Sequence, residues 1–124
     1  MSITLSASNG DLKINAWNWG VLHALVASAA VFPEEIWESK RYNGGGVLDS
    51  DQIAVLADFL ESNVLPSIAV GQRMFFDGTV TAEPDDGTFY REESELWRNY
   101  SLHHDVLVDI IGFLHASAGP VAFH

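Results

Sequence analysis

The residues of this chain best suited to chemistry are two adjacent histidines in its last quarter, His103 and His104. If both lie on a helix, their side chains point about 100° apart, so they cannot chelate one ion as an i, i+4 pair would. Either imidazole could still combine with a carboxylate from the acidic segment Glu92–Glu95. We therefore keep, as the alternative hypothesis, a small ligand- or metal-binding protein or enzyme with a site near these residues.

Nucleophilic catalysis has little support in the sequence. The chain has no cysteine and no Gly-x-Ser-x-Gly motif, which would present a serine nucleophile on a sharp turn. Ser101 is close in sequence to His103 and Asp105, but a catalytic triad is assembled across a fold, and neighbours along one helix point in different directions. The sequence therefore predicts no catalytic residue, no cofactor and no metal ligand, and we expect a protein that is not an enzyme.

Two glycine-containing segments have part of the pattern of a ligand-binding loop. Gly44–Gly46 is followed by no lysine, and the next helix begins near Asp49, whose carboxylate repels a phosphate group. Asp85-Asp86-Gly87 and Glu93 have the spacing of the second half of an EF-hand loop, but its two leading ligand positions fall on alanine and proline. We interpret both segments as turns.

Charge is the most unusual property of the sequence, because 17 acidic residues against six basic ones give a net charge of −11. Such a surface repels phosphate backbones and anionic lipids, so nucleic acids and membranes are disfavoured as partners, whereas basic proteins are attracted. The acidity could instead serve solubility alone. The longest apolar stretch, Val21–Phe32, is shorter than the roughly 20 residues of a membrane span. The N-terminus lacks the pattern of a signal peptide, and we expect a cytoplasmic protein.

Aromatic residues beside predicted loops suggest where a partner could bind. Aromatic anchors within a polar rim are typical of protein interfaces, although the same residues could instead form an aromatic-rich core. Our leading hypothesis is a non-enzymatic acidic protein-binding module that docks a basic partner, as an immunity protein docks a toxin, or that self-associates. The predicted partner surface consists of Trp37, Tyr42, Tyr90, Glu92, Glu93, Glu95 and Trp97.

The N-terminal part of the chain predicts a hairpin followed by a helix. Residues Ile3–Ser8 alternate between apolar and polar, Asn9-Gly10 is a strong hairpin turn, and the alternation then resumes. Apolar residues recur at helical spacing after Asn15 or Asn18, either of which can cap a helix. This helix is predicted to end at Phe32, because the residue before a proline is disfavoured in the α conformation.

Two more helices are predicted from their caps and periodicity. Asp49 and Gln52 have the spacing of a capping box at the start of a helix with one apolar face. The last helix runs from about Asn99 or Ser101 to Ser117, where a Gly-Pro pair follows and stops it.

Shorter elements fill the rest of the chain. Arg73–Thr81 is typical of a second hairpin, Glu92–Trp97 could form a short helix, and Val121–Phe123 could form a closing strand. We therefore expect an α+β, helix-dominated single domain spanning residues 1–124. It would contain about three main helices and a small antiparallel sheet formed from the hairpins.

Several spacings of core and turn residues are shared with a known group of proteins. They are Trp19-x-x-Leu22-x-x-Leu25, Tyr42-x-x-Gly45, the capped helix rich in leucine and alanine, and Phe113-Leu114-x-x-Ser117-x-Gly119. In these features the chain resembles a group of small uncharacterised bacterial proteins. The resemblance implies a bacterial cytoplasmic domain and carries no activity with it. The segment Arg73–Trp97 departs from the pattern.

Overall fold

The computed structural model describes residues 2–41 and 45–124, and it begins with the predicted hairpin. Strands β1 (Ser2–Ala7) and β2 (Gly10–Asn15) pair antiparallel, with Leu5 opposite Leu12. Gly10 has a φ of 111°, a conformation that residues with a Cβ rarely adopt and that the tight turn requires. The alternating pattern buries Leu5 on the core face of the sheet.

Two short strands complete a four-stranded antiparallel sheet. They are β3 (Val47–Leu48) and β7 (Val121–Phe123), and the strand order is β2-β1-β7-β3. Leu5 pairs with Phe123, and Leu48 pairs with Val121. The predicted closing strand is therefore confirmed, and it lies in the interior of this sheet.

Helix α1 (Ala16–Ser28) begins at the Asn15 cap, whose side chain accepts a 2.9 Å hydrogen bond from the Asn18 backbone N–H. It ends four residues before the predicted Phe32. Ala30 adopts a φ of 52°, and its N–H and that of Val31 bond back to carbonyls of the last turn. This Schellman arrangement satisfies the terminal carbonyls and ends the helix before the proline acts.

Two further helical segments follow. Helix α2 (Glu34–Trp37) continues into a 3₁₀ turn (Glu38–Lys40). Helix α3 (Ser50–Phe59) continues through a π turn (Leu60–Val64) and a 3₁₀ turn (Leu65–Ser67). The predicted capping box of α3 is confirmed by reciprocal bonds of 2.8 and 2.9 Å between Asp49 and Gln52.

The last third of the chain forms a second sheet and the last helix. Strands β4 (Arg73–Met74), β5 (Val80–Thr81) and β6 (Leu102–His103) have the order β5-β4-β6. A 3₁₀ helix (Glu93–Asn99) precedes β6, and α4 (His104–Ala116) follows it. The α+β class is confirmed. The expectation of about three helices and one sheet is wrong, because the described residues form five helical segments and two sheets.

The core joins α1, α3, α4 and the four-stranded sheet through one cluster of buried apolar residues. Its centre is aromatic, since the ring of Trp19 lies 5.9 Å from those of both Trp37 and Phe123. The Trp19 indole also donates a 2.8 Å hydrogen bond to the Lys40 carbonyl, which fixes the α2 segment against α1. Within the described ranges, no helix is long and apolar enough to cross a membrane.

Candidate functional site

A groove of about 600 Å³ runs along the face of α1 that the core does not cover. This face carries small residues at helical spacing, namely Ala16, Gly20, Ala24 and Ala27. Residues three and four apart share one helix face, so these small side chains leave a shallow trough along the helix. At Gly20, an added Cβ would lie 3.2 Å from the Tyr100 ring, so glycine allows that ring to pack against the helix.

One side of the groove is formed by apolar side chains from the second half of the chain. We call the aromatic residues Phe76, Trp97 and Tyr100, together with the aliphatic Leu96, the aromatic wall. The rings of Phe76 and Tyr100 lie 5.1 Å apart, and the Trp97 ring packs edge-on against Phe75 at 5.2 Å. The hairpin after β4 and the 3₁₀ helix therefore bring their aromatic residues to α1.

Exposed aromatic side chains continue outward from this wall. Trp17 packs against Tyr100 at 4.9 Å and against Phe89 at 5.9 Å. Phe89 is 55% exposed and Trp97 is 44% exposed. We define the aromatic patch as the exposed residues Trp17, Phe76, Phe89, Leu96 and Trp97. Single exposed apolar residues are ordinary, whereas a contiguous group of them is typical of a binding surface.

The floor of the groove includes a buried histidine, His23, which is 4% exposed. Its ring stacks on Trp37 with centroids 4.8 Å apart, and its Nε2 lies 2.9 Å from the Trp37 carbonyl oxygen. The Trp37 indole donates in return to the His23 carbonyl at 3.0 Å. Burial lowers the pKa of His23 below its ordinary 6.5, an effect that the bond to Trp37 partly offsets. The ring is therefore held neutral and in one orientation.

The groove also contains two charged residues, Glu38 and Arg41. The carboxylate of Glu38 favours the charged form of His23, and the guanidinium of Arg41 opposes it. Farther along the aromatic wall, Glu92 and Glu93 are exposed, and Glu95 forms an ion pair with Arg98 at 3.3 Å. The aromatic patch therefore has acidic residues beside it.

Asp85 and Asp86 lie on the loop before this segment. Each carboxylate accepts a hydrogen bond from a backbone N–H two residues on, Asp85 from Gly87 and Asp86 from Thr88. Hydrogen bonds from Thr88 lower the pKa of Asp86. These carboxylates shape the turn, as interpreted from the sequence.

A second, smaller cavity of about 170 Å³ contains His103. Its Nε2 lies 3.3 Å from Ser101 Oγ and 3.6 Å from Asp85 Oδ2, and Arg73 donates to the same serine oxygen at 3.2 Å. In a catalytic triad, the serine and the carboxylate would contact opposite ring nitrogens. Here both contact one nitrogen, and Ser101 is only 2% exposed. This cluster is therefore not a serine-nucleophile site.

Burial lowers the pKa of His103, and the charge of Asp85 partly offsets that effect. The Nδ1 atom of the neighbouring His104 lies 3.4 Å from Oδ1 of Asp105. Neither histidine forms a hydrogen bond or ion pair with Glu92–Glu95 in the described part of the chain. The described residues also contain no group of three or more histidine or carboxylate side chains that could hold a metal ion.

The predicted partner surface is only partly at the surface. Trp37 does not belong to it, because the residue is 2% exposed and its ring lies between His23 and the aromatic core. Tyr42 lies outside the described residues. Tyr90 is half-buried beneath the Arg98 guanidinium, which lies 4.2 Å from its ring centre. Glu92, Glu93 and Trp97 are exposed, and Glu95 is partly exposed.

Sequence reasoning missed most of the groove and patch. The small residues of α1 share one side of the helix, and their spacing of three to four could have indicated a trough there. Trp17 stands at the end of a predicted element, a position that can indicate an exposed aromatic residue, whereas only their place in the irregular segment 73–97 distinguishes Phe76 and Phe89 from core residues. Their grouping depends on three segments that are distant in sequence.

Comparison with known proteins adds no family to this description. No protein-family model, no curated protein and no solved structure matches the chain. The resemblance to small uncharacterised bacterial proteins therefore stays a prediction.

Proposed function

We propose that this protein is a non-enzymatic binding module that docks a basic protein partner through the aromatic patch and the adjoining groove. The observation that carries the proposal is the group of exposed aromatic rings around Tyr100 at the edge of a groove, in a chain with a net charge of −11. Trp97 and Phe89 are its central contacts. A cytoplasmic, bacterial setting and a role like that of an immunity protein belong to the same proposal.

The aromatic residues would supply most of the affinity. Large rings that lose their solvent exposure dominate the energetics of many interfaces, and a few such anchors account for most of the binding free energy. Trp17, Phe89 and Trp97 are all more than 40% exposed, so each has apolar area left to bury. A groove of about 600 Å³ beside them gives a partner side chain a place to insert.

The acidic residues would determine the sign of the charge on the partner's binding surface. Charges around an interface mainly affect the association rate and the choice of partner. Glu92 and Glu93 lie next to the patch with their side chains exposed, and the whole chain has an excess of acidic residues. A basic surface is therefore favoured, and self-association through this patch would bring two acidic rims together.

Affinity capture tests the proposal, with variants matched for chemistry and exposure. The immobilised protein is incubated with lysate of the organism that encodes it, and the retained partner is identified, purified and titrated by calorimetry. Phe89→Ala/Trp97→Ala should weaken binding by at least roughly 100-fold, because hot-spot truncations cost about 2 kcal/mol or more each. The control Val55→Ala/Val108→Ala removes exposed apolar side chains from α3 and α4, outside the patch, and should bind normally.

The charge contribution is tested separately. Glu92→Gln/Glu93→Gln should slow association and reduce its salt dependence, whereas Asp58→Asn/Asp109→Asn makes the same change in net charge on α3 and α4 and should have a smaller effect. An acidic partner, or equal behaviour of the patch and control variants, would contradict the proposal. Concentration-dependent dimerisation in light scattering, abolished by Phe89→Ala/Trp97→Ala, would replace it with self-association.

A further inference from the structure

The groove over α1 combines an apolar trough with hydrogen-bond acceptors. The exposed aromatic patch beside it lacks this combination. We infer that the groove binds an arginine side chain of the basic partner. This inference rests on the proposed function and names the part of the partner that inserts. It depends on three features of the groove, which are its floor, its wall and its acceptors.

The floor suits the aliphatic part of an arginine side chain. The Tyr100 and Phe76 rings cover the helix at Gly20, but Ala24 and Ala27 have only a methyl group each, so an unbranched chain can lie over that part of the helix without a steric clash. Long cationic side chains commonly bury their methylene groups on apolar surface while the charged head reaches polar atoms.

The wall suits a planar cation. Guanidinium groups stack on the electron-rich faces of aromatic rings, with the strongest attraction where water is excluded. The same chain already contains this interaction elsewhere, since Arg98 lies over Tyr90 at 4.2 Å and Arg73 over Phe75 at 4.9 Å. Phe76 and Trp97 line the groove and are 39% and 44% exposed, so these two rings have surface left for a ligand.

His23 adds an acceptor at the floor. The Trp37 carbonyl can only accept, so the Nε2 atom that faces it at 2.9 Å must hold the ring proton. Because burial favours the neutral ring, Nδ1 is then a bare acceptor. Among the described residues, no group donates a hydrogen bond to this atom. Since the described residues contain no buried side-chain nitrogen or oxygen without a partner, Nδ1 keeps some solvent access and can accept from a ligand that carries several N–H donors.

The charged residues of the groove favour arginine over lysine. Glu38 provides a carboxylate, and Arg41 in the same groove offsets its charge, so simple ion pairing is weak locally. A ligand must therefore gain from stacking and from several directed hydrogen bonds at once. The guanidinium group does so, because it is flat and carries five donors, whereas an ammonium is a compact and strongly hydrated point charge.

The test uses the whole protein and small probes that share the same blocked backbone and differ in the side chain. N-acetyl-arginine amide, N-acetyl-citrulline amide and N-acetyl-leucine amide are titrated separately, with backbone and indole N–H resonances followed by NMR. We expect the arginine probe to shift resonances of the α1 trough and of Trp97, with a millimolar Kd. The citrulline probe, which has nearly the same shape without charge, should bind at least roughly five-fold more weakly, because it loses the cation–π attraction.

Variants locate the site. Ala24→Leu fills the trough and should abolish the shifts, whereas the matched control Ala54→Leu, on the exposed face of α3, should leave them unchanged. Glu38→Gln should weaken the arginine probe several-fold. Near-UV circular dichroism verifies that each variant keeps its aromatic packing.

Two results would overturn the inference: a leucine probe that binds as tightly as the arginine probe, or an Ala24→Leu variant that still binds arginine. If either occurs while Phe89→Ala/Trp97→Ala still weakens the captured basic partner, the proposed function stands and only the arginine site fails. If the partner proves acidic, the proposed function fails even where the arginine probe binds.

Discussion

Two regions of the molecule are stabilised in different ways. The first is the four-stranded sheet together with α1, and the second is the segment from Phe75 to Tyr100. The first has a six-residue ladder between β1 and β2 and many fully buried apolar residues. The second has short strand pairs at its edges, carboxylate-stabilised turns at Asp77 and Asp86, and no fully buried residue at any position. The surface available for binding is therefore concentrated where the chain contributes least to the core.

Ring truncation separates the two regions most strongly. Phe123→Ala should destabilise the protein by about 3–5 kcal/mol, since it opens a cavity in the aromatic centre of the core. Phe89→Ala removes an equal side chain from the exposed patch and should change stability by no more than about 0.5 kcal/mol. Urea denaturation followed by tryptophan fluorescence measures both. Similar losses in the two variants would mean that the patch is part of the core.

Hydrogen exchange tests whether the segment opens on its own. Local opening is easiest where few apolar contacts are buried. Amides between Phe75 and Tyr100 should therefore exchange roughly ten-fold or more faster than those of β1 and α1 under native conditions. Mass spectrometry of peptides from the two regions gives this ratio. Equal protection would show that both regions unfold as one cooperative unit.

The buried His23 should make the stability of the first region depend on pH. Its pKa is lowered in the folded state, so the stability is fully present above about pH 6.5 and decreases as the pH falls through the folded value. Glu38 and Arg41 modify the shift in opposite directions. Denaturation midpoints between pH 7 and pH 5 should decline less in His23→Gln than in the native protein. The control His115→Gln, at an exposed ion pair with Glu61, should keep the native decline.

Backbone substitutions give the smallest expected effects. Ala30 holds a left-handed conformation at the end of α1, so Ala30→Gly should stabilise the protein by about 0.5–1 kcal/mol. Ala27→Gly, inside the same helix, should destabilise it by about as much. Gly87→Ala places an alanine at a φ of 80° in the segment from Phe75 to Tyr100, which is the left-handed strain that Ala30 has in the native protein. It should increase hydrogen exchange in that segment with little change in the free energy of global unfolding. Thermal melts and exchange rates distinguish these outcomes.

The sequence predicted the parts of the fold that depend on neighbouring residues. The Asn9-Gly10 turn and the Asp49–Gln52 capping box act over a few positions, and both are confirmed. The Val121–Phe123 strand is also confirmed, although its partner strands β1 and β3 are distant in sequence. α1 ends before the residue that Pro33 predicts, because the left-handed Ala30 ends it first and an alanine in this conformation has no sequence signature.

The site was harder to predict because it depends on distant contacts. Trp37 has the sequence context of a loop residue, yet it lies in the core. Its ring stacks on His23, and each of the two side chains forms a hydrogen bond with the backbone carbonyl of the other residue. Conversely, Trp17 and Phe89 are 72 positions apart and meet only after β4, the 3₁₀ helix and α1 have packed. The carboxylate near His103 is likewise set by the packing of distant segments. It belongs to Asp85, whereas the sequence predicted a carboxylate from Glu92–Glu95.

The position of β7 in the sheet affects the order in which the protein can assemble. Ser6 and His124 are 118 residues apart, and their side chains meet at 2.7 Å beside the β1–β7 pair. During synthesis, β1 and β2 can pair at once, but the other edge of β1 waits until nearly all of this sequence has been made. Contacts between such distant residues slow folding. Until β7 arrives, β1 is an open edge that a chaperone or another nascent chain can pair with.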